Sequence, residues 1–99
     1  MLSAQGDLPA ALASFNESLV IARTLALSDP SNAQAQRDLS VSFTKLANLK
    51  ERQNNRASAL SLANESLAII ERLAEIDPTN ATWQNDLAFT RALVARLRP

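Results

Sequence analysis

The chain has 99 residues, ten acidic and ten basic, with 46% apolar residues, one Gly, four Pro and neither Cys nor His. That length holds one small domain, and the even charge supplies no field to gather nucleic acid or an anionic membrane surface. Without thiols or imidazoles there are no disulfides, no thiolate chemistry, no zinc sites of the usual kind and no imidazole acid–base catalysis.

The opening stretch Met1-Leu2-Ser3-Ala4-Gln5 lacks a basic start and a long apolar centre, and no uninterrupted apolar run approaches bilayer length. A soluble, unexported, cytoplasmic protein is expected. Gln5-Gly6-Asp7 reads as a tight turn, with Gly in the left-handed position after a helix and Asp capping the next. A first helix is predicted over 8–28, with Leu8, Leu12, Phe15, Leu19 and Ala22 along one stripe. Asp29-Pro30-Ser31-Asn32 closes it and opens a second helix over 31–52, striped by Leu39, Phe43, Leu46 and Leu49.

Gln53-Asn54-Asn55 repeats the tight turn before a third helix over 55–76. That helix carries two stripes, Leu60, Ala63, Leu67, Ile70 and Ala74 beside Leu62, Ile69, Leu73 and Ile76, so it is expected to have two neighbours. After Asp77-Pro78-Thr79-Asn80 a fourth helix over 79–97 presents Trp83, Leu87, Val94 and Leu97. Trp83 and the Phe residues at helical spacing read as core. Glu71, Glu75 and Asp77 read as a solvated face, and Arg91, Arg96 and Arg98 as cations complementing a helix C-terminus.

The chain also repeats itself. At an offset of 48 positions, eighteen of the forty pairs from Ala11/Ala59 to Lys50/Arg98 are identical, where unrelated sequences would match at about two or three. Such a period means one unit stacked on copies of itself, because a single unit cannot bury its own apolar faces. Residues 1–99 thus read as one all-α domain, an antiparallel array of helical hairpins with a truncated first repeat, a central repeat and half of a last one.

The run from Leu46-Ala47 through Ala59 and Ala63 to Pro78, with Gln5-Gly6-Asp7-Leu8 and the two Asp-Pro-x-Asn turns, resembles the tetratricopeptide repeat. Each helix is longer than the family's by about seven residues, close to two turns, which leaves its stripe facing the same neighbour. The resemblance implies a ligand groove along the first helix of each pair. Here that face carries Gln34, Arg37, Val41, Thr44, Asn48 and Glu51 on one helix and Thr82, Asn85, Phe89, Ala92 and Arg96 on the other. Val41 and Phe89, at equivalent positions, are the apolar anchors such a groove needs, with amides to fix a peptide backbone. In the family's carboxylate-binding members a Lys stands four residues before the Asn; here Thr44 stands there before Asn48.

The expected function is a non-enzymatic protein-interaction module without cofactor or metal, binding another protein or peptide and neither nucleic acid nor membrane. A self-assembling structural unit is the alternative. The incomplete first repeat is expected to leave Leu8, Leu12, Phe15 and Leu19 with an open flank, suited to a two-fold homodimer through the first helix.

Overall fold

The computed structural model describes residues 8–99, which form α1 (Leu8–Ser28), α2 (Ala33–Arg52), α3 (Arg56–Ile76) and α4 (Ala81–Leu97), with no strand among the described residues. Each helix packs antiparallel on the one that follows it, giving the all-α hairpin array expected from the repeat. The turn at Gln5-Gly6-Asp7 and the stub before it lie outside the described residues.

The helix boundaries follow from side chains that bond the otherwise unsatisfied terminal amides. Asn32, Asn55 and Asn80 are the N-caps, accepting from the backbone N–H of Ala35 (3.1 Å), Ser58 (3.2 Å) and Trp83 (3.0 Å). Helices α2 and α4 start two residues later than the sequence reading placed them. Pro30 and Pro78 occupy the second position of a turn, not the first helical turn. That turn closes from Asn32 N–H to the Asp29 carbonyl (3.0 Å) and from Asn80 N–H to the Asp77 carbonyl (3.1 Å).

Between α2 and α3, Asn54 takes the left-handed conformation (φ 62°). Its N–H bonds the Glu51 carbonyl at 2.9 Å, and that of Asn55 bonds the Lys50 carbonyl at 2.8 Å. These two bonds satisfy the last carbonyls of α2 in a Schellman turn. At the end of α4, Arg56 reaches across from α3 to donate to the Leu97 carbonyl at 2.9 Å. The dipole-complementing cation is therefore Arg56; Arg96 pairs with Glu51, and Arg91 lies 3.9 Å from Glu71 on the surface.

Two apolar clusters make the core. One joins Ala22 and Ala26 of α1, Leu39 and Phe43 of α2, Ile70 and Leu73 of α3 and Leu87 of α4. The other joins Ala47, Ala59 and Ala63 to Leu93, Val94 and Leu97. Ala47, Ala59 and Ala63 have no exposed surface, so side chains of minimal size let these backbones approach closely. Beside them Ser66, also fully buried, donates to the Ser40 carbonyl (2.9 Å) and lies 2.7 Å from the Ser40 hydroxyl and 2.9 Å from that of Thr44. No buried side-chain N or O among the described residues lacks a partner.

Four core assignments change. Trp83 and Phe15 are half-buried, Phe89 is 58% exposed, and Ile76, the last residue of α3's second stripe, is 70% exposed. Helix α1 departs most. Its stretch Ala10–Ser28 has a mean hydropathy of 1.2 and is, by length and composition, apolar enough to cross a membrane. Charged and polar residues at Asn16, Glu17 and Arg23 interrupt every run, which is why a search for uninterrupted apolar runs passes over it.

Candidate functional site

Helices α2 and α4 occupy equivalent places in successive repeats and are joined by two ion pairs, whose partners are 49 and 45 residues apart in the chain. Near their starts Arg37 Nε donates to Asp86 Oδ2 at 2.8 Å, with both side chains about one-third exposed or less. That hydrogen bond, with the negative charge of Asp86, raises the Arg37 pKa above its already high ordinary value. Near their ends Arg96 pairs with Glu51. Between these ties the two helices border a cavity of about 270 Å³ lined by Ser40, Val41, Thr44, Lys45 and Asn48 of α2 and Asp86, Phe89 and Thr90 of α4.

Four of the predicted groove residues, Val41, Thr44, Asn48 and Phe89, therefore meet around one space. Arg37, Glu51 and Arg96 bound it, but their charges are directed at Asp86 and at each other. Gln34 donates to Asp38 on its own helix at 2.8 Å. Thr82, Asn85 and Ala92 are exposed on α4 and do not line the cavity. The Thr44 hydroxyl is shared with the Ser66 and Ser40 network beneath it, so it forms part of the floor.

The sequence reading missed Lys45. Looking for a cation four residues before Asn48 leads to Thr44, but Lys45 lines the same cavity from one position further on. Its ammonium lies 5.8 Å above the Phe15 ring, an attraction that places the charge over the seam between α1 and α2. The site thus offers two apolar side chains, one amide and a hydroxyl floor, with Lys45 at its border and the ammonium held over Phe15. No group of three or more His, Cys, Asp or Glu is placed to hold a metal among the described residues.

The predicted self-association residues lie elsewhere. Leu12, Phe15 and Leu19 are half-buried along the same edge of α1 as the buried Ala22 and Ala26, and Phe15 borders a hollow with Lys45 and Leu49 of α2. Among the described residues, the large apolar side chains of α1 left in solvent are Val20, Ile21, Leu25 and Leu27, each more than half exposed. The side chain of Leu8 is outside the described residues.

Comparisons with protein-family models, with curated proteins and with solved structures find no match to this chain.

Proposed function

We propose that the chain is a non-enzymatic, tetratricopeptide-like interaction module whose α2/α4 face holds a short segment of another protein. The observation carrying this reading is the convergence of Val41 and Phe89, equivalent residues of the two repeats, on one cavity that also presents Asn48 and Lys45. Phe89 is 58% exposed. A large aromatic held in solvent beside directional polar groups is the mixture that anchors a peptide, with apolar contact supplying affinity and the amide fixing the backbone.

In this reading α1 is a helix of the bundle and the protein works in the cytoplasm without a membrane. Its support is the seam that α1 makes with α2, including Arg23 stacked 5.5 Å above the Phe43 ring, which a bilayer-spanning helix would have to abandon.

The test is selection from a random peptide library displayed on phage. Peptides enriched on the wild type should bind Phe89→Ala at least about fivefold more weakly, a loss near 1 kcal/mol, while the melting midpoint stays within a degree or two. Failure to enrich any peptide, or equal binding by Phe89→Ala, rejects the groove.

A further inference from the structure

The two repeats share eighteen of forty aligned residues, yet among the described residues one of them contains an interface that the other leaves open. Between α1 and α2 runs a groove of about 240 Å³ bordered by Ser18, Ile21 and Leu25 on one side and Asp38 and Ser42 on the other. Shifted by 48 positions, these residues become Ser66, Ile69, Leu73, Asp86 and Thr90, and four of the five are unchanged. In the second repeat this groove is filled by α2. Ser66 bonds the Ser40 carbonyl, Asp86 holds Arg37, and Leu73 is buried in the cluster containing Leu39 and Phe43. In the first repeat no element occupies it among the described residues, and Ile21 and Leu25 stand 62% and 56% exposed where their counterparts are 9% and 3%.

The opposite half of that interface is also open, on α4. The face of α2 that meets the groove carries Arg37, Ser40, Thr44 and Ala47, and the equivalent residues of α4 are Asn85, Ala88, Ala92 and Ala95. All four are exposed. We propose that the α1/α2 groove receives α4 of a second copy, so that chains join head to tail by repeating between molecules the packing of α2 on α3 and α4 within one.

The chemistry of the substituted positions is compatible with this. The Ser66 hydroxyl donates to a main-chain carbonyl, that of Ser40, so its counterpart Ser18 finds the same acceptor at Ala88 although the side chain there is smaller. Asn85 supplies an amide donor to Asp38 where Arg37 supplies a guanidinium to Asp86. The other exposed flank of α1 gives a control: Val20 and Leu27 correspond to Ala68 and Glu75, which are exposed in α3, so the repeat places no neighbour there. The joint is shallower than its intramolecular counterpart, because Ala22 and Ala35 replace Ile70 and Trp83, and it is accordingly reversible. Two different faces meet, so association does not close at the dimer.

This inference goes beyond the peptide groove and does not rest on it. It is tested by sedimentation velocity of the whole chain over roughly 10 to 500 µM, a range that populates a weak joint by mass action. The wild type should show a weight-average mass rising past that of a dimer. Ile21→Glu and Ala92→Glu should each be monomeric, with unchanged helical dichroism. Mixed in equal amounts they should form a one-to-one dimer and nothing larger, since each keeps the face the other lacks. If either variant loses helicity, Leu25→Asp or Ala88→Glu replaces it. A wild type that stays monomeric, one that stops at a dimer, or an Ala92→Glu or Ala88→Glu variant that associates like the wild type overturns the proposal.

Discussion

Ile70 and Leu67 belong to one sequence stripe of α3, yet they do not carry equal weight. Ile70 has no exposed surface and lies among side chains from all four helices, whereas Leu67 is half-buried at the edge of both clusters. Truncating a fully enclosed side chain leaves a cavity as well as losing its transfer energy. Ile70→Ala should therefore cost about 2 to 5 kcal/mol in urea unfolding, and Leu67→Ala distinctly less; equal costs would show that burial does not rank the stripe. At this scale the turn between α2 and α3 was legible, because Asn54 and Asn55 act through their own local backbone, whereas the two Asp-Pro turns were placed correctly but their prolines were assigned to the following helix instead of the turn. Ser66 was not legible. A serine in an apolar helix gives no sign that it will be buried, since its partners Ser40 and Thr44 come from another helix more than twenty residues away.

Among the elements, α2 and α3 were read correctly along most of their length, because helices with neighbours on two sides show dense apolar stripes. Helix α1 was harder. Apolar residues surround much of it, so periodicity alone does not say which edge is covered. The 48-residue offset did hold the answer: Leu12 and Leu19 correspond to Leu60 and Leu67, on the stripe of α3 whose half-buried leucines pack against the cluster containing Leu93 and Val94 of α4, so α2 covers them in α1. This predicts that Phe15→Ala lowers the thermal midpoint through loss of the α1/α2 seam, while Ile21→Ala, at a dilution where chains are single, leaves it almost unchanged. Dichroism melts of the two variants decide this, and the reverse order would return Phe15 to solvent.

For the whole molecule, the packing is a linear succession in which each helix rests chiefly on its sequence neighbours. Stability in such an array falls from the middle outward, because a terminal helix is held on fewer sides. Hydrogen exchange of the single chain should find the amides of α2 and α3 most protected and those of α1, where Ala22 and Ala26 alone are buried among the described side chains, released first. Uniform protection would indicate one all-or-none unit. The candidate site was legible only through the resemblance to the tetratricopeptide repeat, whose implied groove face includes Val41 and Phe89 at equivalent positions of the two repeats; both line the cavity between α2 and α4. The ties that frame it were not, since nothing in a one-dimensional pattern pairs Arg37 with Asp86 or Arg96 with Glu51.

Those two ties bear on how fast a partner could arrive. Each cation bordering the cavity already faces a carboxylate of the neighbouring helix, and the chain as a whole carries no net charge, so at a distance the groove is electrically quiet apart from Lys45. If the groove holds a peptide as proposed, capture proceeds by unguided collision, at the ordinary pace of about 10⁵ to 10⁶ M⁻¹s⁻¹ for docking without steering, and with little sensitivity to ionic strength. Discrimination between ligands falls to how long each one stays, which for this groove is set by the fit of an apolar side chain against Phe89.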